Sequence, residues 1–151
     1  MKIALASDHA GFFLKEELKK LLSEMGHRYT DFGTDSQESC DYPDFAFPAA
    51  EAVASGECDA GILVCGSGIG MSMCANKVKG IRAALCYTPE AARLSRLHNN
   101  ANVLCLAARL TQKETALEIV RVWLQTEFEG GRHLRRVNKI ASYESRLYRH
   151  E

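Results

Sequence analysis

The sequence has no excess of either charge: lysine plus arginine and aspartate plus glutamate each come to 19 in 151 residues. Such a balance gives no support to a nucleic-acid partner or a membrane surface, both of which reward a cationic face. Cysteine pairs are also lacking, since the six cysteines fall at 40, 58, 65, 74, 86 and 105 with no close pair. That spacing argues against a disulfide scaffold and a zinc site, and suits reduced thiols in a cytoplasmic protein. No apolar run is long enough to span a bilayer. Charge returns too soon after Met1 for the apolar region of a signal peptide. A single domain over residues 1–151 is expected, large enough to bury a core.

What the chain does have is a regular alternation of apolar runs and helical patterns. Lys2–Ser7 reads as a buried strand, and Leu14, Leu18, Leu21, Leu22 and Met25 then recur at helical spacing up to Gly26. His27–Phe32 reads as a second strand, Phe45–Ser55 as a short helix and Ala60–Cys65 as a third strand. Arg82–Tyr87 is the fourth strand. Thr88-Pro89 caps a helix running to about His98, with Ala91, Leu94 and Leu97 expected inward. Val103–Ala107 is the fifth strand, and Thr111-Gln-Lys-Glu114 reads as a capping box for a helix with Leu117, Val120, Trp123 and Leu124 on its apolar face. A last helix starts at Arg132. Strands and helices alternating in this way predict an α/β fold: a Rossmann-like, three-layer α/β/α sandwich around a five-stranded parallel sheet.

The organising stretch is Cys65-Gly66-Ser67-Gly68-Ile69-Gly70, directly after the third strand. Its glycines permit a tight turn into a helix, where several backbone N–H groups converge and favour an anion. A thiol beside such amides can serve as a base or nucleophile, although a buried cysteine is also ordinary core filling. The dinucleotide fingerprint is lacking, because the region about 20 residues on holds Leu85, Cys86 and Tyr87 where it requires an acidic residue. A phosphatase loop would need an arginine closing the turn, and none follows Cys65 before Arg82. The P-loop's Gly-Lys-Ser/Thr is replaced by Gly70-Met71-Ser72. The loop therefore suits a small anion or a developing oxyanion.

Parallel sheets place ligands beyond the carboxyl ends of their strands. Those ends supply Asp8 and His9, residues 65–70, and Arg109 just past the fifth strand. Asp8 could equally cap the following helix, and His98 could cap the end of its own. Arg132 and Arg136 share one face of the last helix and could grip one phosphate, or simply be solvated. Val137, Ile140 and Tyr148 give that helix an apolar face with which to pack.

Together, Ser7-Asp8-His9-Ala10-Gly11, Asp41-Tyr42-Pro43, Cys65–Gly70, Ala75-Asn76-Lys77, Gly80-Ile81-Arg82-Ala83, His98-Asn99 and Glu129-Gly130-Gly131-Arg132-His133 with Arg136 resemble the type B ribose 5-phosphate isomerase family over nearly the full length. The resemblance implies an aldose-ketose isomerase acting on ribose 5-phosphate and ribulose 5-phosphate. It implies no cofactor and no metal, and a homodimer or tetramer with shared sites, the C-terminal helix reaching across the dimer. Cys65 would be the base, with Ser67 and the amides of Gly66, Gly68, Ile69 and Gly70 holding the enediolate. Asp8 and His98 would open the furanose, Asn99 and Tyr42 would position the sugar, and His9, Arg109, Arg132 and Arg136 would hold the phosphate. Serine at 67, where relatives often carry threonine, keeps the hydroxyl donor. The alternatives are a six-carbon sugar phosphate as substrate, or a non-catalytic phosphate-binding domain.

Overall fold

In the first strand, β1 (Lys2–Ser7), Ile3 and Leu5 join one apolar cluster while Ala4 and Ala6 join another, the period-two division of a strand covered on both faces. The computed structural model describes residues 1–149; residues 150 and 151 of the expected domain lie outside them. The other strands are β2 (Arg28–Asp31), β3 (Ala60–Cys65), β4 (Ala83–Leu85) and β5 (Val103–Ala107). They form one parallel sheet in the order β2-β1-β3-β5-β4. The helices are α1 (Phe12–Glu24), α2 (Pro43–Ala54), α3 (Ile69–Ala75), α4 (Pro89–Leu97), α5 (Lys113–Gln125) and α6 (Arg132–Leu147).

Helices α1, α4 and α5 cover the face that bears Ile62, Val64, Leu104 and Leu106, whereas α2 and α3 cover the face bearing Leu63, Cys65, Val103 and Cys105. Each fully buried aliphatic side chain in these layers contributes about 1.5–3 kcal/mol. The expected three-layer sandwich is therefore present. The chain leaves β1 toward β2 on one side and returns to β3 on the other, so the crevice between β1 and β3 is the topological switch point.

Several local expectations are corrected. The edge strands are shorter than the expected His27–Phe32 and Arg82–Tyr87, because β2 and β4 each have one neighbour to pair with. In α4 the buried positions are Ala92 and Ser95, not Leu94 and Leu97; Ser95 enters the core by bonding its hydroxyl to the Ala92 carbonyl at 2.8 Å. Thr88 does cap α4, accepting the Ala91 N–H at 3.1 Å. The capping box at Thr111 does not form: α5 begins after Gln112 without a side-chain cap, and the Thr111 hydroxyl is buried without a partner.

The last helix lies largely outside the sandwich. It buries His133 and Val137, and its far end is held by a hydrogen bond from the Gly80 N–H to Glu144 Oε1 at 2.9 Å and by one from the Tyr148 hydroxyl to the Lys77 carbonyl at 3.3 Å. Leu134, Ile140, Tyr143 and Leu147 stay between 48% and 63% exposed. Among the described residues no helix is long and apolar enough to cross a membrane.

Candidate active site

Strands β1 and β3 end side by side, and the Asp8 N–H donates to the Val64 carbonyl at 3.1 Å. This one bond sets the Asp8-His9 turn against the glycine loop. Asp8 is buried and its Oδ1 accepts the Gly11 N–H at 3.1 Å, so it braces the turn leading into α1. His9 Nδ1 accepts the Cys40 N–H at 3.3 Å, which leaves Nε2 as the protonated nitrogen of the neutral ring.

Cys65 is 4% exposed, and its Sγ accepts the Gly68 N–H at 3.2 Å. That amide stabilises sulfur carrying negative charge. The arrangement requires glycine at 68, where φ is +76° and a Cβ would run into Leu85 and the Leu106 carbonyl. The Ile69 N–H is taken by Ser67 Oγ at 3.2 Å. The N–H groups of Gly66, Ser67 and Gly70 have no hydrogen-bond partner among the described residues and remain free donors of the turn. The Tyr42 ring lies over Gly70, where a Cβ would meet the ring at 2.5 Å.

These residues line a cavity of about 490 Å³ formed by Asp8, Tyr42, Cys65, Gly66, Ser67, Ile69, Gly70, Met73, Arg109 and Leu110. Arg109 is fixed through its N–H, which donates to the Gly66 carbonyl at 2.9 Å. The sequence reading missed Met73 and Leu110, whose exposures of 63% and 65% give the mouth an apolar lip. It also missed Tyr87, whose hydroxyl donates to the Ser67 carbonyl at 2.9 Å and braces the turn from the carboxyl end of β4. Position after a strand was the available signal for Tyr87.

Cys58, Cys74, Cys86 and Cys105 lie in the apolar clusters of the core, as Cys65 does, but none of the four lines the cavity. Burial pushes the Cys105 thiol well above its ordinary range, and it raises those of Cys58, Cys74 and Cys86 as well. These four are core residues.

The remaining candidates do not join this cavity within one chain. His98 caps the carboxyl end of α4, and the adjacent Asn99 and Asn100 carbonyls accept from Arg82 Nε at 3.2 and 2.9 Å, at the amino edge of β4. The His98 ring stacks on His133 with centroids 4.2 Å apart and planes 15° from parallel. Glu129 Oε2 lies 3.9 Å from His98 Nε2 and 3.8 Å from His133 Nε2. The His133 ring is held below its ordinary pKa first by desolvation and then by the charges of His98, Arg132 and Arg136, with Glu129 opposing. Asn99, Arg132 and Arg136 are exposed beside this group. One chain thus carries two separate sets of polar side chains, at opposite ends of its sheet.

The sequence pattern described as Ribose/Galactose Isomerase matches residues 3–140. The chain is 50% identical over 145 residues to ribose-5-phosphate isomerase B of Escherichia coli (strain K12), covering 96% of this chain and 97% of the relative. It superposes with a TM-score of 0.95 on ribose-5-phosphate isomerase B of Clostridium thermocellum, at 52% identity over 97% of this chain and 99% of that one. A structure of the isomerase B from Mycoplasma genitalium with bound ribulose-5-phosphate gives a TM-score of 0.92 at 44% identity, covering 95% and 96% of the two chains.

Proposed function

The chain belongs to the ribose/galactose isomerase family, and from that premise we propose that it interconverts ribose 5-phosphate and ribulose 5-phosphate with Cys65 as the base. The observation that carries this reading is the meeting of one buried sulfur with the unpartnered Ser67 and Gly70 N–H groups in a single cavity. An aldose-ketose conversion needs a base within reach of two adjacent carbons and donors for the oxygen that becomes negative.

The thiolate takes the proton from C2, the electron pair forms the C1–C2 double bond, and O1 carries the charge against the turn amides. Return of that proton to C1, with the O2 proton passing to O1, gives the ketose. Every proton is conserved and no redox partner is consumed. Asp8 lies where it can accept a ring hydroxyl proton, while Tyr42 lines the sugar's side of the cavity. Arg109 and His9 offer a guanidinium and an imidazole N–H to the phosphate.

The second set completes the site from another copy of the chain. In a homodimer with shared sites, the partner's His98 would protonate the ring oxygen, the partner's Asn99 would hold a hydroxyl, and the partner's Arg132 and the partner's Arg136 would close on the phosphate. The exposed apolar residues of α6 support such a contact, since a monomer would leave them in water. A single domain acting on a phosphorylated sugar, with six unpaired thiols, suits a reducing cytoplasm.

The test is an isomerase assay on purified protein with ribose 5-phosphate, allose 6-phosphate and galactose 6-phosphate. Preference for the five-carbon sugar is expected. Faster turnover of a six-carbon substrate would move the assignment there, and no turnover of any would leave a phosphate-binding domain.

A further inference from the structure

Folding brings together His98, Glu129 and His133, which sequence spacing did not mark as a metal-ligand set. Their ligand atoms all lie within 4.8 Å of one another. We propose that these three side chains bind a divalent transition-metal ion, and that the bound ion silences the isomerase by occupying the histidine nitrogen used in ring opening. The metal site stands on its own geometry; its inhibitory effect rests on the role given above to His98.

Two imidazoles and one carboxylate are a common donor set for zinc and its neighbours, leaving a fourth position open. With bonds of about 2.0–2.1 Å, tetrahedral ligands stand about 3.3 Å apart. The Glu129 oxygen is 3.9 and 3.8 Å from the two Nε2 atoms, so roughly half an ångström of closure on each side is required. The groups best able to supply it are the more exposed ones: the Glu129 and His98 side chains are 58% and 39% exposed, against 9% for His133. The stacked rings must splay so that both lone pairs meet the ion, with buried His133 as the fixed floor.

The surroundings limit the affinity. Desolvation and the His98 charge do most to lower the His133 pKa, and the charges of Arg132 and Arg136 add to them; a dication bound there is repelled by the same two guanidinium groups. Glu129 supplies the one compensating negative charge of the set. Occupation would hold the His98 nitrogen in a metal bond, so it could neither give nor accept a proton at the sugar ring. Turnover of the furanose would fall, and chelation would restore it.

The experiment uses the full-length chain, stripped by chelator and titrated with Co(II). The expected spectrum has visible ligand-field bands and no thiolate-to-cobalt charge-transfer band. His133→Ala and Glu129→Gln should each weaken cobalt binding at least about tenfold, since loss of a ligand exceeds the roughly 10- to 100-fold loss from an outer-shell partner. Glu129 is on the surface, so E129Q tests the site even if H133A fails to fold. Cys65→Ser should leave the spectrum unchanged. Zn(II) should displace cobalt and lower ribose 5-phosphate turnover, with recovery on adding chelator. Undiminished cobalt binding in E129Q, a thiolate band, or no cobalt spectrum at millimolar metal overturns the site. Cobalt binding through the expected ligands, with turnover unaffected by zinc, overturns the inhibition and counts against His98 in ring opening. Failure of the isomerase assay would not alter the spectra.

Discussion

Replacing the Cys65 sulfur with oxygen isolates its chemical role, because serine is similar in size and can still accept the Gly68 N–H. A hydroxyl holds its proton far more tightly than a thiol. Positioned general-base catalysis is worth roughly 100- to 10,000-fold, so Cys65→Ser should lower kcat by at least that order with little change in KM. Steady-state kinetics on folded protein check this; a native kcat would move attention to Asp8 as base. Cys65 was legible because a thiol follows a buried run and precedes three spaced glycines. Cys58, Cys74, Cys86 and Cys105 lacked that context, and none of the four lines the cavity. Met73 and Leu110 were not legible: each reaches the cavity mouth through a tertiary approach that no local spacing encodes.

At the scale of elements, the α1–β2 join rests on charge more than on packing. Lys15 is fully buried, and its Nζ lies 2.6 Å from Asp31 Oδ2, which Lys19 also approaches at 2.7 Å. Burial pushes the Asp31 carboxyl up, but hydrogen bonds from Lys15, Lys19 and the Gly33 N–H outweigh it and hold its pKa below the ordinary 3.8. A depressed folded pKa stabilises the native state above the unfolded value, and the benefit is lost as pH falls through the folded value. Asp31→Asn should therefore destabilise the protein at neutral pH by about 3 kcal/mol, the low end for breaking a buried pair, since Glu16 still faces Lys15 at 3.6 Å. Urea unfolding should show the gap to wild type narrowing as the pH is taken below 4. Core strands and most helices were readable from periodicity, which reports burial on one or both faces. The α4 face was misread because a serine that bonds its own helix packs inward as readily as a small apolar residue.

At the scale of the molecule, the two sets of polar side chains make a test of assembly. A chain carrying Cys65→Ser would be mixed with one carrying Arg132→Ala and Arg136→Ala under conditions of verified subunit exchange. In a two-fold dimer each mixed pair holds one intact composite site, so about a quarter of native activity should return on equal mixing. No recovery would argue for sites built within one chain. Sequence could not separate the sets, because His98 and Arg109 both follow regular elements and only the direction of travel through the sheet sends them to opposite ends. That same strand order governs synthesis. Strands β1, β2 and β3 are neighbours and are all translated by residue 65, so the crevice between β1 and β3 can assemble on the ribosome. Strand β4 cannot follow: its partner in the sheet is β5, which begins at Val103. A nascent chain paused between them holds Cys65 and its glycine turn in place while still lacking the Arg109 wall and the Tyr87 brace, the glycine turn's outer supports arriving last.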